Sequence, residues 1–135
     1  MLDDIDHVGI ATNDLEAEIE RYRRAFDIEP AHRETVESQG VEEVLFRAGT
    51  SYVQLLRPLG PDTPVGRFLV TRGEGVHHLG YRVGDIRAAV ERLERAGLRV
   101  IDPQPRPGSR GTTVAFVHPK AMGGVLVELV EEPSA

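Results

Sequence analysis

The stretch Ile5-Asp6-His7-Val8-Gly9 returns later in the chain as Val76-His77-His78-Leu79-Gly80, at an offset of 78 − 7 = 71. With that offset held, Asp14 meets Asp85, Ala17 meets Ala88, Glu20-Arg21 meets Glu91-Arg92, and Arg24-Ala25 meets Arg95-Ala96. An internal repeat constrains architecture more strongly than any local reading. The spacing is too long for a solenoid, and only two copies exist. The pattern is that of a duplicated module with an approximate two-fold axis. Residues at equivalent positions of the copies can then converge near that axis.

Working outward, each copy opens on a strand, residues 5–11 and 77–83, and each strand leads into a helix. In the first helix Asn13 is the expected cap and Glu16 closes a capping box, with Leu15, Ile19, Tyr22 and Phe26 as the apolar stripe. In the second, Asp85 caps, Ile86, Val90 and Leu93 form the stripe, and Gly97 ends the helix. Three strand-like runs follow each helix: 29–34, 41–48 and 51–57, then 99–102, 113–118 and 125–130. Residues 58–74 join the copies, with a short helix over 65–71, and the Pro-rich stretch 102–111 reads as a surface loop. The expected fold is α+β, with two tandem βαβββ modules (about 4–59 and 75–132) in one domain spanning 1–135. The strands should form a curved, mostly antiparallel cup with the helices outside.

Bulk properties agree with a single globular unit. The chain has 135 residues, 40% hydrophobic and 28% charged, which is the size and composition of one ordinary domain. It contains no cysteine, so disulfides, thiolate metal sites and cysteine nucleophiles are excluded. No apolar run is long enough to span a bilayer, and no targeting segment is read at the N-terminus, so a cytoplasmic protein with no membrane partner is expected. The net charge of −6 argues against nucleic-acid binding.

A lone histidine in an apolar strand is usually a packed core residue. Here His7 and His78 occupy equivalent sites. The last strands align too: Tyr52-Val53-Gln54-Leu55-Leu56 meets Leu126-Val127-Glu128-Leu129-Val130 at an offset of 128 − 54 = 74. Each copy therefore places a polar residue mid-strand. A buried glutamate without a partner is costly, and it either loses its charge or meets a cation. The pairs His7/His78 and Gln54/Glu128 suggest convergence on a single ion. Alternation sets Ile5, His7 and Gly9 on one strand face and Tyr52, Gln54 and Leu56 on another. Gly9 and Gly80 would leave room beside the ion. A donor set of two histidines, a glutamine and a glutamate suits an octahedral divalent ion of the Mn, Fe, Co, Ni or Zn kind, with positions left open for substrate. In the strand holding Glu42 and Glu43, one carboxylate must face inward. Glu43 aligns with Val114, so an acid stands there in one copy only. It is either a general base beside the ion or a solvated edge-strand glutamate. His77, His32 and His118 read as structural.

The duplicated βαβββ module with His, Gln, His and Glu at these positions resembles the vicinal oxygen chelate superfamily. Within it, the chain resembles the methylmalonyl-CoA epimerase family along nearly its whole length. The matching segments are Ile5-Asp6-His7-Val8, Gln39-Gly40-Val41, Leu56-Arg57-Pro58-Leu59-Gly60, Gly75-Val76-His77-His78, Tyr81-Arg82-Val83, Pro105-Arg106-Pro107-Gly108, His118-Pro119-Lys120 and Gly124-Val125-Leu126-Val127-Glu128-Leu129. The resemblance implies that His7, Gln54, His78 and Glu128 bind one divalent metal ion, Co²⁺ first and Mn²⁺, Ni²⁺ or Zn²⁺ as substitutes. It implies that Glu43 is a catalytic base and Glu128 the second acid/base. The implied substrate is an acyl-CoA, whose (R) and (S) forms interconvert by α-proton abstraction through a metal-stabilised enolate. Members of the family are commonly dimers, so a homodimer is expected. One departure is the loop Ser109-Arg110-Gly111-Thr112-Thr113, where relatives often carry extra glycines; Arg110 there is either a phosphate contact or solvated. The rival readings are a glyoxalase-type lyase, which would need a glutathione site, a ring-cleaving dioxygenase, against which Gln54 argues, and a non-catalytic small-molecule-binding protein of the resistance type.

Overall fold

The computed structural model of the chain describes residues 1–134. The elements run β1 (Leu2–Ala11), α1 (Leu15–Phe26), β2 (His32–Val36), β3 (Val41–Ala48), β4 (Ser51–Pro58), α2 (Pro64–Arg72), β5 (Gly75–Val83), α3 (Ile86–Arg95), β6 (Arg106–Pro107), β7 (Thr113–Val117) and β8 (Val127–Glu131). The expected class, α+β with βαβββ written twice, is the one observed. The chain divides into two compact units, Val8–His77 and a second made of Met1–His7 with the chain from His78 onward. Strand β1 therefore starts in the second unit and ends in the first.

In the unit Val8–His77 the strands lie in the order β2-β3-β4-β1. β2 and β3 are antiparallel, as are β3 and β4. Helix α1 begins where the Asp14 side chain accepts from the Ala17 amide. The cap is thus Asp14, not Asn13, and it repeats in α3, where Asp85 accepts from the Ala88 amide. Leu15 and Ile19 of α1 pack with Val44, Phe46 and Leu55 in one apolar cluster, and the Tyr22 ring stacks on Phe46. The last residue of the expected stripe, Phe26, is 68% exposed, because α1 ends there at Asp27 in a left-handed turn. A second cluster joins Ala11, Val36, Val41, Leu56 and Val65 beneath α2. Strand β2 begins at His32 rather than residue 29, because Pro30 has no N–H for a ladder.

In the unit from His78 onward the order is β5-β8-β7-β6, with β1 beside β5. β5 and β8 are parallel; β7 is antiparallel to both β8 and β6. Val83, Ile86, Ala89, Val90, Ala115, Val117, Val127 and Leu129 form its core. The expected strand at 99–102 is reduced to a single bridge between Val100 and Val117. The edge strand is instead β6, inside the stretch read as a loop. Pro103, Pro105 and Pro107 remove alternate amide donors there, so only a two-residue strand forms. No helix among the described residues is long and apolar enough to cross a membrane.

The two ladders repeat each other residue for residue. Glu43 faces Leu56 and Leu45 faces Gln54 across β3 and β4. Val114 faces Val130 and Phe116 faces Glu128 across β7 and β8. The register confirms the pairings Glu43 with Val114 and Gln54 with Glu128 that the sequence offsets anticipate.

Candidate metal centre and carboxylate pair

His7 on β1, His78 on β5 and Glu128 on β8 meet in one unit, each almost fully buried. His7 Nε2 lies 2.9 Å from His78 Nε2 and 2.8 Å from Glu128 Oε1, and His78 Nε2 is 3.1 Å from the same oxygen. The parallel pairing of β5 with β8, with Gly80 opposite Glu128, sets part of this geometry. Gly80 sets another part: a Cβ there would come within 2.3 Å of the His7 ring. Only glycine leaves the ring its place.

These three donors fit a divalent ion. Bonds of about 2.0–2.2 Å put neighbouring octahedral donors about 3.0 Å apart, against about 3.4 Å for a tetrahedron. The observed triangle has the edges of one octahedral face, which leaves other positions for further donors and substrate. The three groups perturb one another's protonation. His7 is raised to about 9: burial opposes the charge, but the Asp6 and Glu128 carboxylates outweigh it. Burial also opposes ionisation of Glu128, yet the two imidazoles hold it well below the usual carboxylate range. His78 is lowered, chiefly by burial.

Gln54 and Glu43 form a second buried pair in the unit Val8–His77. Glu43 has no exposed surface and Gln54 is 4% exposed. The Gln54 amide donates through Nε2 to Glu43 Oε2 at 2.5 Å. Gln54 Oε1 is buried with no hydrogen-bond partner among the described residues, an orphan acceptor of the kind a cation satisfies. Glu43 is therefore the inward carboxylate of β3, while Glu42 stays at the surface between Arg33 and Arg57. The reading of Glu43 as a solvated edge residue does not survive its burial.

Two features go beyond the sequence reading, one of them at His32, which was read there as structural. Asp6 is fully buried, and its Oδ2 lies 2.7 Å from His7 Nδ1. The surrounding partners hold it at about 2 despite burial, with His7 and Arg82 as the main contributors. The signal was an aspartate inside an apolar strand run. The second feature is His32, whose Nε2 lies 2.7 Å from Glu34 Oε1. His32, Glu34 and Glu43 offer ligand atoms within 4.8 Å of one another. The cross-strand pairs Glu34–Glu43 and His32–Leu45 place these residues on neighbouring register positions. His77 packs edge-on against Phe68, and His118 accepts from the Lys120 amide at the end of β7; both have structural surroundings. Arg110 is neither solvated nor spread toward solvent: its guanidinium turns inward to Asp6 and Glu132.

Comparison with known proteins adds the family. The model of the Glyoxalase/Bleomycin resistance protein/Dioxygenase superfamily matches residues 6–116. The ethylmalonyl-CoA/methylmalonyl-CoA epimerase of Cereibacter sphaeroides is 38% identical over 131 residues, covering 96% of this chain and 98% of the relative. The structure of a variant methylmalonyl-CoA epimerase of Streptomyces coelicolor in complex with 2-nitronate-propionyl-CoA superposes with a TM-score of 0.97 at 40% identity, covering 100% of this chain and 98% of the other. A methylmalonyl-CoA epimerase in complex with methylmalonyl-CoA and NH4+ gives a TM-score of 0.96 at 41% identity, covering 99% and 97%. The chain belongs to the glyoxalase/bleomycin resistance protein/dioxygenase superfamily and, within it, to the methylmalonyl-CoA epimerase family.

Proposed function

We propose that this protein is a metal-dependent epimerase that interconverts the (R) and (S) forms of methylmalonyl-CoA by removing and returning the α-proton. The observation that carries the reading is the triangle of His7, His78 and Glu128 donors with edges of 2.8–3.1 Å. The activities of the relatives, which are methylmalonyl-CoA epimerases, support the substrate. Gln54, through its orphan Oε1, would complete the ligand set. A divalent ion held there, cobalt first, would act as a Lewis acid and lower the cost of the negative charge that develops as the α-proton leaves.

The chain's own residues do the proton work. Glu43 would take the α-proton on one face. The Gln54 amide, donating to Glu43 Oε2, orients that carboxylate for the reaction. Glu128 would serve the opposite face as a relay, passing a proton drawn from solvent to the carbon, which takes it with inverted configuration, while the proton on Glu43 is given up to solvent. A homodimer in the cytoplasm belongs to the same reading, and the solution mass of the purified protein checks the dimer.

The first test is deuterium uptake. The protein is incubated with methylmalonyl-CoA and cobalt in D₂O, and loss of the α-proton signal is followed by NMR beside a metal-stripped control. Exchange far faster than the control is expected. No excess exchange from folded, metal-loaded protein would remove the epimerase reading and leave a lyase or a binding protein of the same fold.

A further inference from the structure

Asp6 carries no role in the reaction as derived above, yet it is a fully buried carboxylate bonded at both oxygens. Its Oδ2 receives His7 Nδ1 at 2.7 Å and Arg110 Nη2 at 2.9 Å. Its Oδ1 accepts from Arg82 Nη2 at 2.8 Å and Nε at 3.1 Å. One oxygen is thus shared between a histidine of the metal triangle and an arginine from a distant turn. The repeat isolates the feature: the residue before His78 is His77, so the second copy has no carboxylate at that position.

The turn that delivers Arg110 is also a modified repeat. Ser109-Arg110-Gly111 matches Ser38-Gln39-Gly40 at the same offset of 71, and both copies form a 3-10 turn there. In the first copy only the glycine is left-handed, Gly40 at φ 68°. In the second, Arg110 itself has φ 57° ahead of Gly111 at 72°. A left-handed non-glycine residue is strained, because its Cβ crowds the following carbonyl. The turn is held by the Thr112 amide and hydroxyl, which both donate to the Ser109 carbonyl. The strained conformation carries the Arg110 side chain inward, where it is 16% exposed.

A neutral imidazole has one N–H and one lone pair. For His7 Nε2 to serve as a ligand, the proton must sit on Nδ1, and an acceptor there fixes both tautomer and ring orientation. Asp6 is that acceptor, and the two arginines pin its two oxygens. We infer that Arg110 is a positioning residue for the metal centre: by holding Asp6 Oδ2 it fixes the His7 tautomer and ring, so the turn Ser109–Gly111 sets metal affinity from outside the ligand set. This rests on the reading of His7 as a metal ligand.

The test uses the full chain and cobalt as the probe. Cobalt affinity is measured by calorimetry for the wild type, Arg110→Ala, Arg110→Lys, Asp6→Asn and the Asp6→Asn/Arg110→Ala double variant. Thermal unfolding and the histidine ¹⁵N shifts of the zinc-loaded proteins are read alongside. Asp6→Asn should weaken cobalt binding about 10–100-fold and Arg110→Ala about tenfold. Arg110→Lys should recover part of the loss and keep the His7 Nδ1–H signal, which serves as the comparison if Arg110→Ala does not fold. In the Asp6→Asn background Arg110→Ala should add nothing, since it acts through Asp6. Wild-type affinity in a folded Arg110→Ala, or losses that simply add, would overturn the positioning role while leaving the metal centre standing. A wild type that takes up no cobalt would instead overturn the metal reading, and the positioning role with it.

Discussion

Glu42 and Glu43 are neighbours on β3, and strand alternation sends them to different fates. Glu42 meets Arg33 and Arg57 at the surface; Glu43 goes inward, with no exposed area, to the Gln54 amide. Glu43→Gln keeps the shape and removes the carboxylate proposed as the base. It should leave metal stoichiometry unchanged and reduce turnover by about 10²–10⁴-fold; normal turnover in a deuterium-uptake assay would end its role. His7→Ala should lower metal content and activity together, read by elemental analysis of the purified protein. An unchanged metal stoichiometry would show that the ligand set is wrong. The protonation of His7 gives a pH prediction. In the metal-free protein its value is raised from 6.5 to about 9. The raised value means that its charge contributes stability in full below pH 6.5, and that this contribution is lost as pH rises through about 9. Asp6, at about 2, stays ionised across that window. Cobalt must displace the His7 proton, so its affinity should rise about tenfold per pH unit between about 7 and 9 and then level off. Calorimetric titrations at pH 7, 8 and 9 check the slope.

At the scale of elements, both long helices start the same way. Asp14 and Asp85 accept from amides three residues on, at 3.0 and 3.1 Å. Either aspartate replaced by alanine should cost about 1 kcal/mol, read as a lowered midpoint in urea. The offset of 71 pairs these two residues, yet the local capping-box pattern pointed to Asn13 in the first helix, and the structure places the cap at Asp14. Strand β5 carries a sharper constraint. Gly80→Ala would set a Cβ within 2.3 Å of His7 Cε1. Backbone and ring cannot both stay, so this variant should lose metal affinity as His7→Ala does while keeping its helical content by circular dichroism. Strand β6 shows the opposite case, where periodicity misled. The strand expected at 99–102 has only one bridge, because prolines at alternating positions decide where an edge can pair.

At the scale of the whole molecule, a metal bound by the folded chain and not by the unfolded one should add stability. At a free ion concentration 100 times its Kd the gain is about 2.7 kcal/mol. Chelation with EDTA should lower Tm by several degrees, and cobalt should restore it; an unchanged Tm would count against the metal centre. The duplicated order of elements was legible from the sequence because it rests on local physics. Periods of two and 3.6, capping residues and turn glycines act over a few positions, and the offset of 71 exposes their repetition. The residue types of the candidate site, two histidines with Gln54, Glu43 and Glu128, were legible for the same reason: each is a polar residue placed in an otherwise apolar strand. Tertiary structure alone decided which of them meet, and at what distance. His7, His78 and Glu128 are brought together by the packing and pairing of strands distant in sequence, and the burial of Glu43 comes from packing on both sides of β3. The contact of Asp6 with His7 and Arg110 was invisible beforehand. Alternation sends adjacent side chains to opposite faces, and nothing local says that an arginine 104 residues away turns inward to bind the same carboxylate.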